Sequence, residues 1–322
     1  MVPIRGMPDS QRVEENRDSM IPTSCAICGA GSADAEVYGD TVGRDGATFD
    51  RFSARRTPDR IHYRMVRCRE CGLLRSDPIL QEGELARLYR GSSMTYANEA
   101  ALAGATYAEH LRRCLPLVPM KARLLEIGCG NGFFLEQALA LGFHEVRGVE
   151  PSIHAVNLAP AHLRDSILND VFRDGLYPPG YFDVVCAFQV FDHMAHPNDV
   201  LQACRRVLRP GGVALFINHD AGAWTHKLLG ERSPIIDVEH IYLYDRGTMR
   251  RIFSKHGFEV LSVFPVRNRY PLRYWWKMAP VPSLLKRLLA GYLGRSGAGR
   301  WTVSVRAGNL GLIARAPEPV NP

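Results

Sequence analysis

The stretch Leu124-Leu125-Glu126-Ile127-Gly128-Cys129-Gly130-Asn131-Gly132-Phe133-Phe134-Leu135 constrains this chain more than any other. An apolar run leads into glycines at three alternate positions and a second apolar run follows, the pattern of a strand turning through a loop into a helix. Glycine lets the backbone turn sharply and lets a ligand approach it closely, so the loop is a candidate ligand cradle. It is not the dinucleotide fingerprint, which puts its third glycine three positions after the second. That position is Phe133, and glycine arrives one residue early at Gly132. No Lys-Ser or Lys-Thr follows, which excludes the phosphate-binding P-loop.

Around this loop, short apolar runs alternate with amphipathic stretches, as in a parallel sheet wrapped by helices. The predicted strands are Arg123 to Ile127, Val146 to Glu150, Ser166 to Leu168, Phe182 to Phe188 and Val213 to Asn218, followed by Phe258 to Phe264 and Asn309 to Ala314. Predicted helices are Phe133 to Leu141, Ile153 to Ala159, Asp199 to Leu208 and Arg246 to His256. Arg209-Pro210-Gly211-Gly212 is expected to interrupt both helix and strand. The fold class is therefore α/β, a Rossmann-like sheet of seven strands.

Glu150 ends the second strand, where a carboxylate can accept hydrogen bonds from both hydroxyls of an adenosine ribose. Glu126 precedes the loop by two. An acidic residue, a hydrophobic residue and G-x-G-x-G resemble the first motif of class I S-adenosylmethionine-dependent methyltransferases, and the resemblance runs from about residue 85 to 315. It implies S-adenosylmethionine as cofactor, with Glu126, Gly128, Gly130 and Gly132 at its methionine part and Glu150 at its ribose. It also implies Asp170 and Val171 at the adenine, and Phe188 and Gln189 lining the pocket.

Cys25-Ala26-Ile27-Cys28-Gly29 and Cys68-Arg69-Glu70-Cys71-Gly72 form two matching knuckles that together offer four thiolates to one ion. Four protein ligands leave no open position, so the expected Zn2+ is structural, in a small β-rich, zinc-ribbon-like module. His62 is a rival ligand, read here as a surface histidine.

Methyl transfer needs alignment first and a base only where the acceptor must lose a proton. Phe191-Asp192-His193-Met194-Ala195-His196-Pro197 resembles the family's Glu-His segment, with Asp192 in place of Glu. His193 is the candidate base because an ordinary imidazole titrates near neutrality. His240, in Asp237-Val238-Glu239-His240-Ile241-Tyr242, matches another family position and is expected to be catalytic jointly with His193; His219 follows the fifth strand, and Tyr96 is a candidate lid residue.

The domain reading is a disordered tail over 1–20, the zinc module over 21–80, a helical lead-in over 81–119 and the methyltransferase domain over 120–316. A helical insertion is expected at about 267–306, where Tyr270, Tyr274, Trp275 and Trp276 precede Leu284, Leu285, Leu288 and Leu289 among basic residues. Such a segment fits a membrane surface or a lipid-linked acceptor, or else a lid or dimer contact. No apolar run reaches ~18 residues, the start of the chain lacks a signal-like apolar core, and the cysteines suit a reducing compartment, so a cytoplasmic location is expected. The leading functional reading is methylation of a hydroxyl or carbon centre of a sugar nucleotide, lipid or secondary-metabolite precursor. The net charge of +7 keeps a ribosomal or transfer RNA methyltransferase as a second reading, although no compact basic-aromatic patch supports nucleic acid. A non-catalytic zinc-binding interaction protein is a third.

Overall fold

The computed structural model describes residues 20–42, 52, 59–94, 97–118, 120–278 and 301–318. The expected tail lies outside them except for Met20, and so do Tyr96 and Leu284, Leu285, Leu288 and Leu289.

The cysteine-bearing region supplies β1 (Met20–Ile21), β2 (Ala35–Gly39), β3 (Met65–Cys68), β4 (Leu74–Ser76) and β5 (Ile79–Leu80). Helices Glu82–Arg90 and Ala97–Cys114 then lead to β6 (Arg123–Ile127), β7 (Glu145–Val149), β8 (Ile167–Leu168), β9 (Phe182–Phe188), β10 (Leu208–His219), β11 (Tyr242–Leu243), β12 (Glu259–Pro271) and β13 (Thr302–Arg315). Seven strands form the main sheet in the order β12-β13-β10-β9-β6-β7-β8. From β8 to β10 neighbours run parallel, while β13 is antiparallel to both β10 and β12.

Apolar runs form the middle of this sheet because both of its faces are covered. Every residue of β9 is buried. Alternation along the strands then sorts side chains between two cores: Leu124, Val184, Cys186, Leu215 and Ile217 join Phe134 and Leu135 of the helix Phe133–Ala140 on one face. Leu125, Val185, Ala187 and Phe216 join Leu201, Ile252 and Phe253 on the other. Asp183, at the start of β9, is buried yet satisfied, accepting hydrogen bonds from the Arg123 backbone N–H at 2.8 Å and Arg209 Nε at 2.5 Å.

Three expectations from the sequence need correction. Arg209-Pro210-Gly211-Gly212 does not break the fifth strand; β10 starts at Leu208 and absorbs these residues as a bulge between the Leu208↔Phe182 and Val213↔Val184 pairings. The bulge is held by Ala316, whose N–H donates to Gly212 at 2.8 Å and whose carbonyl accepts from Gly211 at 3.2 Å. Pro and Gly punctuate a strand only where nothing pairs with the interruption.

The segment 267–306 is not helical at its ends. Residues 268–271 pair with 302–305 as a continuation of the β12–β13 hairpin, from Asn268↔Val305 to Pro271↔Thr302. Only Leu272–Met278 is helix among its described residues, because hairpin pairing outweighs the local aromatic and basic pattern.

The third correction concerns the module boundary at 80. The module's four-stranded sheet, β11-β4-β3-β2, is completed by β11 from far along the chain. Met65 and Leu74 pack with Ile235, Ile236 and Leu243 in a small shared core.

Phe216 is fully buried and packs edge-on against Phe191 at 5.4 Å and Phe253 at 5.0 Å between ring centroids. Phe216→Ala should lower unfolding free energy by about 3–5 kcal/mol in urea titrations. A loss under ~1 kcal/mol would show that this face of the sheet is not a close-packed core.

Candidate active site

A cavity of about 1550 Å³ opens at the carboxyl ends of the parallel strands, the crevice where ligands bind in open α/β sheets. Among the residues expected at a cofactor, Glu126, Gly128, Gly130, Glu150, Asp170, Val171, Phe188 and Gln189 all line it. Gly132 does not. It sits with φ of +79° at the start of the helix Phe133–Ala140, and a Cβ there would meet Leu163 Cδ1 at 3.2 Å and Ile167 Cδ1 at 3.3 Å. Its missing side chain leaves room for the packing of Leu163 and Ile167 against this turn.

Glu126 and Glu150 bring two carboxyl groups to the loop. Glu150 is buried; its Oε2 accepts from the Gly130 N–H at 2.9 Å and its Oε1 from the Ser152 N–H at 2.8 Å, so it braces the turn. Glu126 is 1% exposed and its Oε2 has no hydrogen-bond partner. Burial, and then the neighbouring charge of Glu150, push the Glu126 carboxyl well above the usual range. Burial also raises Glu150, against the two N–H donors. An unsatisfied buried carboxyl is costly, and the cavity beside it is where a cationic or donor group would relieve that cost.

The far wall follows β9. Phe188 stacks on Tyr107 at 4.2 Å and 14°. Gln189 adopts φ of +58°, outside the usual range for a residue with a side chain, and neither amide atom has a partner. Its backbone N–H donates to Ile217 O at 2.6 Å, which holds the unusual turn in place. Nothing in the sequence signals that backbone. Asp170 is engaged by Arg173 Nη1 at 2.7 Å and by the Val171 N–H at 2.8 Å; these contacts overcome burial and lower its pKa.

At the other end of the cavity the structure brings His193 and His240 together, with ring centroids 4.9 Å apart, and adds His219 at 4.4 Å from His240. At their centre is Asp192, fully buried, whose Oδ2 accepts from His219 Nδ1 at 2.7 Å and the His219 N–H at 3.2 Å. Burial opposes ionisation of Asp192, but the surrounding imidazoles, His219 foremost, hold it below the usual carboxylate range. His193 is not the near-neutral imidazole expected. Burial pushes it down to about 3 despite the pull of Asp192, so at neutral pH it is an uncharged, weak base. His240 is lowered too, by burial and then by His219.

Two wall residues come from before the domain read from sequence as 120–316. Tyr89 OH lies 3.3 Å from His193 Nδ1, and Phe52 packs edge-on against Tyr89 at 5.2 Å. Spacing gives no hint of either. The partnership of Asp192 with His219 could have been suspected from an acid ending one strand's loop and a histidine ending the next.

The four cysteines converge as their knuckles require. Cys25 Sγ is 3.3 Å from Cys71 Sγ and Cys28 Sγ 3.5 Å from Cys68 Sγ. The Gly29 N–H donates to Cys25 O at 2.8 Å and the Gly72 N–H to Cys68 O at 2.9 Å, two copies of one turn. His62 is not among them; it is buried rather than on the surface, with Nδ1 2.7 Å from Tyr63 O.

Residues 99–263, just over half of the chain, match a protein family described as a methyltransferase domain. The chain belongs to this methyltransferase family. A methyltransferase domain weighs against the non-catalytic reading. The methyltransferase is 29% identical over 115 residues to a ubiquinone biosynthesis O-methyltransferase of Paraburkholderia xenovorans, covering 33% of this chain and 49% of that protein. It is 29% identical over 137 residues to the protein of the same name from Psychrobacter arcticus, covering 39% and 50%. The chain thus spans about half the length of the curated relatives it matches. Among solved structures it is similar to a SAM-dependent methyltransferase from Aquifex aeolicus, at 14% identity and a TM-score of 0.44 over 74% of this chain and 99% of that one. It is also similar to one from Mesorhizobium loti, at 19% identity and a TM-score of 0.42 over 66% and 99%.

A Cβ on Gly128, where φ is +69°, would overlap Val190 Cγ2 and lie 3.1 Å from Val190 Cγ1. Gly128→Ala should therefore cost about 1–3 kcal/mol of stability from the backbone conformation plus the clash. In a Val190→Ala background the loss should shrink, and a double-mutant cycle showing simple additivity would remove the clash from the account.

Proposed function

We propose that this methyltransferase transfers the methyl group of S-adenosylmethionine to a hydroxyl or carbon centre of a small biosynthetic acceptor. The observation that carries the reading is the pair of buried carboxyl groups, Glu126 with an unpartnered oxygen and Glu150 on the loop N–H groups, at the cofactor end of the cavity. The methionine part of this cofactor carries an ammonium, which Glu126 would pair. Each Glu150 oxygen keeps a lone pair for ribose hydroxyls beyond the N–H bond it already accepts. Val171 and Asp170 flank the space left for the adenine, and Phe188 backs the pocket.

When bound, the cofactor supplies an electrophilic methyl group on a sulfonium. The chain's own work is alignment: it holds the acceptor in line with that methyl group and keeps bulk water out. The group Asp192, His193, His219 and His240 stands at the end where the acceptor would lie. The names of the relatives, ubiquinone biosynthesis O-methyltransferases, support a small acceptor methylated on oxygen. Tyr274 and Trp275 line the cavity and Trp301 is exposed, which supports an acceptor with an apolar or lipid-linked portion held by this hairpin. No helix among the described residues is long and apolar enough to cross a membrane.

We further propose that Cys25, Cys28, Cys68 and Cys71 hold a structural Zn2+. Tetrahedral Zn–S bonds of ~2.3 Å place sulfurs ~3.8 Å apart, and the close pairs at 3.3 and 3.5 Å need only slight opening to reach that. Cys71→Ser should strip zinc from the purified protein and lower its melting temperature, as read by elemental analysis and calorimetry. Wild type grown with ample zinc and found without it would refute the assignment.

For the cofactor, isothermal titration with S-adenosylmethionine or S-adenosylhomocysteine should show saturable binding, weakened by about 1–3 kcal/mol in Glu150→Ala. Folded wild type that binds neither compound would defeat the reading, and unchanged affinity in the variant would remove Glu150 from the site.

A further inference from the structure

We propose that Asp192, His219 and His240 form a binding site for a divalent transition-metal ion at the acceptor end of the cavity, separate from the four-cysteine cluster. One ligand atom from each of the three lies within 4.8 Å of the others. The three residues come from the loop after β9, the end of β10 and the segment before β11, and backbone hydrogen bonds hold them together. The Ile241 N–H donates to Asp192 O at 2.8 Å, and Ser76 Oγ donates to His240 O at 2.8 Å. The site is thus assembled before any ion arrives.

The hydrogen-bonding of the side chains is what points to a cation. His240 Nδ1 lies 2.8 Å from Ile235 O, a group that can only accept, so Nδ1 carries the proton and Nε2 of the neutral ring presents a lone pair. A histidine fixed through one nitrogen on a backbone carbonyl is the usual way to orient the other toward a metal. Asp192 Oδ1 is fully buried and accepts no hydrogen bond; His193 Nε2, the nearest recorded partner, is 3.7 Å away. Among the described residues no lysine or arginine pairs with this carboxylate; its partners are the His219 backbone N–H and imidazoles, all but one of these contacts at Oδ2. Asp192 Oδ1 lacks a donor in a buried place, and one more positive centre would satisfy it.

Two imidazole nitrogens and one carboxylate oxygen suit Zn2+, Mn2+, Fe2+, Co2+ or Ni2+ rather than Ca2+ or Mg2+, which prefer all-oxygen sites. Three protein ligands leave coordination positions open, and since His219 and His240 both line the cavity, those positions face it. The acceptor class that fits is one presenting an oxygen donor to the ion, such as a phenol or a vicinal diol. This assignment rests on the reading of the cavity as the shared site of cofactor and acceptor.

The test uses the whole 322-residue chain with its cysteine cluster loaded with zinc, titrated with Co2+ by visible absorption and calorimetry, and separately with S-adenosylhomocysteine. Wild type should take up one Co2+ beyond the zinc, with bands lacking thiolate charge transfer. Asp192→Asn and His240→Gln should each weaken cobalt binding at least ~10-fold while retaining zinc and S-adenosylhomocysteine affinity, which also shows that they fold. His219→Ala serves as a third variant if either fails to fold. No cobalt uptake by wild type, or uptake unchanged in the folded variants, overturns the site and leaves Asp192 and His219 as a simple hydrogen-bonded pair. Loss of S-adenosylhomocysteine binding in wild type would instead defeat the cofactor reading, with the metal result standing by itself.

Discussion

The histidine-lined end of the cavity depends on a short piece of backbone pairing between the cysteine-bearing region and the segment that carries His240. The Ser76 N–H donates to Ile241 O at 2.8 Å, Tyr242 and Leu243 pair antiparallel with Arg75 and Leu74, and the Ile241 N–H donates to Asp192 O. Tyr242 OH adds a bond to Ser24 O at 2.9 Å, next to Cys25. A chain of hydrogen bonds, main-chain except for the Tyr242 hydroxyl, therefore runs from beside the first cysteine knuckle to the buried aspartate at the cavity. Main-chain bonds of this kind keep their geometry under substitution, so the region before residue 80 behaves as part of the catalytic body.

Further contacts reinforce that union from the other side. Lys255 Nζ donates to Ala26 O at 2.8 Å and Arg251 Nη2 to Cys71 O at 2.9 Å, so the helix Arg246–Lys255 grips both knuckles at carbonyl groups. The same helix buries Ile252 and Phe253 against β10 and β13. That linkage gives a physical reason for the cysteine-bearing region to stand in front of a domain large enough to form its own core.

How much of this was legible in the sequence follows from how local each feature is. The glycine loop, Glu126 and Glu150 belong to one strand-loop-helix-strand unit, where spacing alone places them, and β6 and β9 fall at the residues that apolar patterning marks out. The hairpin extension at 268–271 was not legible, because its partner strand lies beyond thirty intervening residues and local composition reads as helix. Gly132 looked like a ligand contact by motif and is a packing residue by geometry, since only the three-dimensional course of Leu163 and Ile167 shows what its missing side chain avoids. His193 was found by type, but its environment was not, and burial decides how an imidazole titrates.

The two ends of the cavity are consequently built under different rules. The cofactor end is one contiguous stretch whose backbone N–H groups and carboxyls are fixed by a single turn, so any change there disturbs the loop itself. The acceptor end draws Phe52 and Tyr89 from before the sheet, Asp192 and His193 from after β9, His219 from the end of β10 and His240 from before β11. No one loop determines its shape. A change in one of these segments can alter what the cavity accepts without touching Gly128, Gly130 or Glu150, which is how one fold can keep its cofactor site while its acceptor site varies.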